Sequence, residues 1–280
     1  MNLPAKVGVY GGGRMGAGIA HAFLVSGASV TVVEADEAAA AAAADRIGAS
    51  LAKAAERGKT AESVAELTAR LDVATDAAAL AGCGLVVEAV PESAELKAAV
   101  LAQVETSAPD AVLATNTSSL SIDGLAKSLA RPEKFLGLHF FNPVPASSLV
   151  EIVVGSATPD ALAAEARGWA EALGKASITV ADSPGFASSR LGVALALEAM
   201  RMLEAGVASA EDIDAAMTSG YRHPTGPLRT TDIVGLDVRL AIAEHLAREV
   251  GERFAPPEIL RAKVAAGQLG RKSGQGFYRW

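Results

Sequence analysis

Val7-Gly8-Val9-Tyr10-Gly11-Gly12-Gly13-Arg14-Met15-Gly16 joins an apolar, β-branched run to a G-x-G-x-x-G turn, and a helical pattern over Met15–Ser26 follows at once. Glycine-rich turns are common. One that leaves a strand and opens a helix is the phosphate-binding turn of a dinucleotide fold. In that reading Gly11 makes the tight turn, Gly13 admits the pyrophosphate and Gly16 lets helix and strand pack closely. The phosphates then rest at the positive end of the helix. A second strand, Ser29–Glu34, ends on an acid 23 residues after Gly11, close to the ~20-residue spacing of a ribose-binding carboxylate. Glu34 is expected to bond the adenosine ribose hydroxyls and to repel a 2′-phosphate. Ala35-Asp36-Glu37 offers no cation for such a phosphate, so NAD is expected rather than NADP. The competing explanation is an ordinary glycine turn that happens to precede an acidic strand end.

Outward from this unit the same alternation continues. Strand-like runs fall at Lys6–Tyr10, Ser29–Glu34, Leu85–Glu88, Ala111–Thr115, Lys134–His139, Leu149–Val154 and Ala176–Ala181, with helical stretches such as Glu37–Arg57 and Glu92–Ser107 between them. Most of the runs are continuously apolar, which suits strands buried on both faces. A Rossmann-like, doubly wound and mostly parallel α/β sheet is expected. After Asp182-Ser183-Pro184-Gly185 strand signals vanish, and helices are expected at Phe186–Ala205, Ala210–Met217, Leu236–Val250 and Pro257–Ala266. The predicted organisation is an NAD-binding domain over 1–183 and an all-helical C-terminal substrate and dimerisation domain over 184–280.

The bulk properties exclude several classes. Of 280 residues, 50% are hydrophobic and 20% charged, and the formal net charge is −7. That balance argues against a nucleic-acid partner, which normally demands a basic stripe. The mean hydropathy of +0.28 comes largely from alanine, as in Ala38–Ala44, a run better suited to a surface helix than to a membrane span. No stretch reaches the ~18–20 unbroken apolar residues of such a span. Cys83 is the only cysteine, so an intrachain disulfide is impossible and no metal-ligand spacing exists. The first residues carry no signal or transit character. A cytoplasmic protein with no membrane association is expected.

Three polar residues stand at predicted strand ends. His139 closes Leu136-Gly137-Leu138-His139, Ser118 follows the strand ending at Thr115, and Glu151 begins the strand after the Asn142-Pro143-Val144-Pro145 loop. Carboxyl ends of parallel strands are where open α/β sheets bind ligands, so the three can meet at one edge. A Ser/His/Glu trio suggests a hydrolase, but Ser118 is not in a G-x-S-x-G elbow. Beside a dinucleotide, His139 is better read as a general base for an alcohol proton, poised by Glu151. A plain polar core remains the alternative. His21, His223 and His245 suit packing, turn or surface roles. Lys53 and Arg57 are four residues apart, with Lys59 just beyond. They form either a phosphate-binding face or an ordinary solvated one.

These motifs together resemble the short-chain L-3-hydroxyacyl-CoA dehydrogenase family, in particular its bacterial 3-hydroxybutyryl-CoA members. The resemblance spans the chain. It rests on Gly11–Ala20, Val87-Glu88-Ala89-Val90-Pro91-Glu92, Asn116-Thr117-Ser118-Ser119 and Gly137-Leu138-His139-Phe140-Phe141-Asn142-Pro143. The C-terminal part adds Asp182-Ser183-Pro184-Gly185-Phe186, His223-Pro224-Thr225-Gly226-Pro227, Asp232-Ile233-Val234-Gly235-Leu236-Asp237 and Leu269-Gly270-Arg271-Lys272-Ser273-Gly274. The resemblance implies an NAD-linked enzyme of fatty-acid metabolism. His139 would take the 3-hydroxyl proton, Glu151 would orient His139, and Ser118 would bond the reacting oxygen. Glu92, Lys97, Asn142 and Lys272 would contact the ribose or nicotinamide end of the cofactor. Lys53, Arg57 and Lys59 would meet the phosphates of an acyl-CoA substrate. The resemblance implies a homodimer through the helical domain, whose apolar Leu191–Leu197 run suits such an interface or a buried core helix equally.

The chain departs from the family pattern at three positions. Ser189 stands where an asparagine normally precedes Arg190 and helps hold the substrate, and Ser147 and Thr225 are polar where apolar residues are usual. These changes suggest a smaller or more oxygenated acyl group, or neutral drift. Two other functions remain open: the same chemistry on a carrier-protein-bound or free hydroxy acid, and a non-catalytic NAD-binding scaffold.

Overall fold

Seven of the eight strands, and the longer helices between them, follow from the alternation of apolar runs and helical stretches. A computed structural model describes residues 3–280, and the chain divides into two units, Met1–Ser183 and Pro184–Trp280.

In the first unit the order is β1 (Lys6–Tyr10), α1 (Arg14–Val25), β2 (Ser29–Val33), α2 (Glu37–Glu56), α3 (Val64–Thr68), β3 (Leu71–Ala74), β4 (Leu85–Glu88) and α4 (Ala94–Ser107). It continues with β5 (Val112–Thr115), α5 (Ile122–Ala126), β6 (Phe135–Phe140), β7 (Leu149–Val154), α6 (Asp160–Ala172) and β8 (Ala176–Ala181). The strands form one sheet in the order β3-β2-β1-β4-β5-β6-β7-β8. The doubly wound, mostly parallel sheet expected from the sequence is present. Only the β6–β7 pair is antiparallel. The order reverses between β1 and β4, and ligands bind outside the carboxyl ends of strands at such a switch point.

The α2 helix shows how an alanine run is put to use. Asp36 caps it by accepting from the Ala39 N–H at 2.8 Å, and Ala40, Ala43, Ile47 and Leu51 form its buried stripe. The other alanines face outward or half outward. The helix ends at Glu56, so Arg57 is its C-cap and not the last member of a helical face, as the i,i+4 spacing suggested. Gly58, at φ +64°, then turns the chain toward Lys59.

Three elements differ from the sequence-based expectation, one of them the helix Pro227–Val234, which no expected element covered. Strand β3 carries no strong β signal, because Leu71-Asp72-Val73-Ala74 is an edge strand with one neighbour and tolerates an exposed Asp72. It is held from outside its own sequence: Arg70 donates to the Leu24 carbonyl at 2.8 Å and pairs with Glu62. The helix expected over Ala210–Met217 stops at Ala215 and continues as a wider π turn over Ala216–Gly220.

The second unit comprises α7 (Ser188–Glu204), α8 (Ala210–Ala215), α9 (Pro227–Val234), α10 (Leu236–Val250) and α11 (Glu258–Ala265). Its core is the apolar stripe of α7 (Val193, Ala196, Leu197, Met200) set against Leu228, Leu236, Ala243, Leu246 and Leu260. Polar caps fix its turns. Ser209 caps α8, Asp214 accepts from the first N–H groups of α9 at Leu228 and Arg229, and Asp232 accepts from Phe277, Tyr278 and Trp280. Desolvation, and then the hydrogen bond it donates to Asp214, raise the pKa of the Tyr278 hydroxyl well above the ordinary range.

Candidate active site

The glycine turn explains itself atom by atom. Gly11 has φ +94°, and a Cβ there would meet the Ala89 backbone at 3.0 Å. A Cβ on Gly16 would stand 1.7 Å from the Gly11 carbonyl oxygen, so no side chain fits. A Cβ on Gly13 would meet nothing within 4 Å. Gly11 and Gly16 are therefore required by the turn itself, whereas Gly13 leaves open room before the amino end of α1. That helix has no side-chain cap and no acid in its first turn. Its first N–H groups and dipole are suited to a phosphate, and the residues fit a dinucleotide.

Glu34 lies just beyond β2. Its Oε1 accepts from the Gly12 N–H at 2.6 Å and its Oε2 from Ala35 at 3.3 Å, which locks the carboxylate beside the turn. Arg46, from the middle of α2, donates to the Gly12 carbonyl at 2.6 Å. Residues 35–37 carry no cation, but the fold delivers one from nine residues further along. No local signal in the sequence marks Arg46.

A cavity of about 920 Å³ runs from this turn along the carboxyl edge of the sheet. Gly11, Gly13 and Glu34 line one part of it and Ser118, His139 and Asn142 another, with Glu92 and Lys97 also in its wall. The wall there is built on a charge that the sequence reading passed over. Glu88, at the end of β4, is fully buried and accepts from the Val90 N–H (2.6 Å), Lys97 Nζ (2.7 Å) and Thr115 Oγ1 (2.6 Å). Lys97, also buried, donates in addition to the Val90 carbonyl at 3.0 Å and lies 3.4 Å from Glu92. Glu92 in turn holds the Ser118 loop, accepting from Thr117 Oγ1 (2.6 Å) and from the N–H groups of Ser118 (3.0 Å) and Ser119 (3.1 Å). Burial pushes the Glu92 carboxyl up. The Thr117 bond, the Lys97 charge and the Ser119 and Ser118 bonds outweigh this, so its pKa lies below the usual range.

His139 and Glu151 are brought together by the one antiparallel pairing in the sheet. The register sets them directly opposite, and side chains directly opposite across strands share a face. His139 Nδ1 lies 2.7 Å from Glu151 Oε2, with both side chains buried. Glu151 is the third residue of β7, not its start. Because β7 runs backward, its early residues lie at the edge where β6 ends. A carboxylate accepting from Nδ1–H places the ring's lone pair on Nε2. The Phe141 ring stacks at 46° on the imidazole, 4.5 Å between centroids, and Asn116 Oδ1 accepts from the Phe140 N–H at 2.9 Å.

The loop after β6 is held by a group the sequence reading also missed. Lys175, buried at the start of β8, donates to the carbonyls of Val144 (2.7 Å) and Ser147 (2.5 Å), and desolvation lowers its pKa. The adjoining Asn142–Pro143 peptide is cis. Gly18 of α1 lets this loop approach, since a Cβ there would meet Val144 at 2.9 Å.

The other predicted positions are held by their own elements. Lys53, Arg57 and Lys59 are exposed around the carboxyl end of α2 and do not line the cavity. Ser189 is the second residue of α7 in the helical unit. Lys272, in the same unit, bonds Asp237 at 2.6 Å. His21 is buried and 2.9 Å from Ser50 Oγ, a packing role. Cys83 is buried, and desolvation raises its pKa.

Residues 6–183 match the family model described as 3-hydroxyacyl-CoA dehydrogenase, NAD binding domain, and residues 185–280 match the C-terminal domain of the same family. The chain is 43% identical over 280 residues to a 3-hydroxybutyryl-CoA dehydrogenase of Mycobacterium tuberculosis, with 98% of each chain covered. It is 40% identical to a probable 3-hydroxybutyryl-CoA dehydrogenase of Deinococcus radiodurans, covering 98% of this chain and 100% of that one. Among solved structures it is similar to (S)-3-hydroxybutyryl-CoA dehydrogenase from Ralstonia eutropha, at a TM-score of 0.94, 38% identity and 99% coverage of each chain. The glycine turn, the carboxylate beside it and the His–Glu pair across one cavity thus sit in a chain that belongs to the 3-hydroxyacyl-CoA dehydrogenase family, and the protein is an NAD-dependent dehydrogenase.

Proposed function

We propose that the protein interconverts a (3S)-3-hydroxyacyl-CoA and a 3-oxoacyl-CoA of short chain length, the 3-hydroxybutyryl and acetoacetyl thioesters being the reference pair. The observation that carries this reading is the buried His139–Glu151 pair, 2.7 Å apart, with His139 in the wall of the cavity that Glu34 and Gly13 also line. NAD, when bound, supplies the hydride acceptor. His139 Nε2 takes the proton of the 3-hydroxyl group. The buried Glu151 carboxylate offsets the positive charge that then develops on the imidazole, an interaction strengthened by its low-dielectric surroundings. Glu151 is in this sense a positioning residue. Ser118 bonds the reacting oxygen, and Glu92 fixes the Ser118 loop.

Gly11, Gly13 and Gly16 hold the pyrophosphate turn, and Glu34 takes the adenosine ribose. Glu92, Lys97, Asn142 and Lys272 serve the ribose and nicotinamide end. Lys53, Arg57 and Lys59 have no ion-pair partner among the described residues, which suits them to the phosphates of coenzyme A. Ser189 faces the substrate in place of the family's asparagine, with a bridging water making up its shorter reach. We read the NAD-binding domain as 1–183 and the substrate and dimerisation domain as 184–280. Leu191, 70% exposed on α7, and the exposed Val207 and Tyr221 support a homodimer through the helical unit. Among the described residues no helix is long and apolar enough to cross a membrane. The assigned setting is cytoplasmic fatty-acid metabolism.

Steady-state assay with acetoacetyl-CoA and NADH is expected to give turnover of about 1–10³ s⁻¹. Negligible turnover, alongside activity on a carrier-bound or free hydroxy acid, would transfer the chemistry to that substrate. Glu34→Ala is expected to raise the KM for NADH by roughly tenfold and that for NADPH by less, since a charge-assisted hydrogen bond to the ribose is lost. An unchanged ratio of the two constants would remove Glu34 from the ribose role.

A further inference from the structure

Gly12, inside the glycine turn, is buried, and a charged side chain fixes the peptide group on each side of it. Its N–H donates to Glu34 Oε1 at 2.6 Å, and its carbonyl accepts from Arg46 Nη1 at 2.6 Å. The two bonds belong to different peptide groups, Gly11–Gly12 and Gly12–Gly13. A glycine leaves two such groups free to turn against each other unless each is held. No backbone N–H among the described residues reaches the Gly12 carbonyl, so Arg46 is its donor. The helix that carries Arg46 is pressed against the turn. A Cβ on Gly12 would stand 2.5 Å from Ala43 Cβ, and Ala43 is three residues before Arg46, its neighbour on the surface of α2.

This contact sets the direction of the Gly12–Gly13 peptide. In a trans peptide the carbonyl and the following N–H point opposite ways, and this peptide is trans. Gly13 lines the cavity, whereas Gly12 and Arg46 do not. Drawn toward Arg46, the carbonyl faces away from the cavity, and the Gly13 N–H faces into it. That N–H has no acceptor among the described residues. The space before it is open, since a Cβ on Gly13 would meet nothing within 4 Å. Charge acts in the same sense. Glu34 lines the cavity and repels any phosphate that enters. Neither Glu34 nor Arg46 makes a salt bridge among the described residues. The guanidinium, held on the same glycine, offsets the carboxylate at this short range.

We propose that Arg46 is a positioning residue for the dinucleotide: it presents the Gly13 N–H to the pyrophosphate and offsets the charge of Glu34 there. Setting the peptide direction before the ligand arrives removes an ordering cost from binding. The proposal rests on the reading above, in which the glycine turn takes the pyrophosphate. The test measures how ADP-ribose and adenosine displace NADH, followed by fluorescence, from the parent, Arg46→Met and Arg46→Lys. Both probes carry the adenosine ribose assigned to Glu34, and only ADP-ribose adds the pyrophosphate. Arg46→Met is expected to weaken NADH and ADP-ribose by about tenfold and adenosine by less than about twofold. Arg46→Lys, which keeps a donor and the charge, is expected to stay within about threefold of the parent on all three. In turnover of acetoacetyl-CoA, Arg46→Met is expected to raise the KM for NADH by about tenfold with kcat at saturation within about twofold. Because the side chain is exposed, ligand-free Arg46→Met is expected to melt within about 2 °C of the parent. Equal weakening of ADP-ribose and adenosine, with a lower melt, makes Arg46 a support of the fold alone and overturns the proposal. Unchanged affinities, or a lysine variant as weak as Arg46→Met, also overturn it. A parent that binds ADP-ribose no tighter than adenosine removes the pyrophosphate assignment of the turn as well.

Discussion

His139→Ala is expected to lower kcat by about 10³-fold while leaving NADH binding, followed by fluorescence titration, within about threefold of the parent, because a general base contributes roughly 10²–10⁴. The separation follows from the layout of the site. His139 lies on β6 and takes part in the cavity wall, while the Gly12–Glu34 bond of the pyrophosphate turn belongs to β1 and β2. Glu151→Gln keeps the shape of the pair but removes the charge, and is expected to lower kcat by about 10²-fold with the NADH affinity again preserved. A His139→Ala enzyme as fast as the parent on every thioester would leave the protein without its assigned base and favour a scaffold role. Loss of NADH affinity in step with kcat would show that the pair supports the fold and not the proton transfer.

Breaking the Glu88–Lys97 pair is expected to be the most damaging change to stability outside the apolar core. Both groups are buried, and each holds the other in place. Lys97→Met leaves the Glu88 carboxylate with only the Val90 and Thr115 donors, in surroundings where an uncompensated charge costs about 3–5 kcal/mol. For a domain of this size that corresponds to a fall in Tm of roughly 10 °C. The double variant Glu88→Gln with Lys97→Met removes both charges and is expected to melt higher than Lys97→Met alone. Thermal melts of the singles and the double complete the cycle. Additive effects would mean that the two charges act independently and that the short contact carries little. Loosening of the Ser118 loop should accompany the loss, because Lys97 also lies beside Glu92, which ties that loop down.

Much of the fold was legible because its signals are local. Continuous apolar runs announce strands covered on both faces, and G-x-G-x-x-G between strand and helix fixes the first crossover. Edge strand β3 escaped because a strand with one neighbour needs little apolar sequence. The Arg57 spacing misled because the helix ends at Glu56, one residue before the second cation, and Gly58 then turns the chain. Among the site residues, Gly11, Gly16 and Glu34 were readable from spacing, since the turn geometry leaves no choice of residue at two of them. Ser118 and His139 were readable as strand-end polar groups.

Other features required the folded chain. The 2.7 Å contact of His139 with Glu151 depends on β7 running antiparallel to β6 in a register that sets residues 139 and 151 opposite. No pattern within either strand states that direction. Arg46 against Gly12, Lys175 under the loop after β6, and Glu88 as the anchor of Lys97 are likewise pairings between separated elements. By itself, then, the sequence determined the strand–turn–helix unit, the α/β then all-helical order and the chemical inventory, because these follow from short-range periodicity and turn sterics. Tertiary structure alone decided which charges meet, because the energy of a charge depends on its burial and on partners tens of residues away.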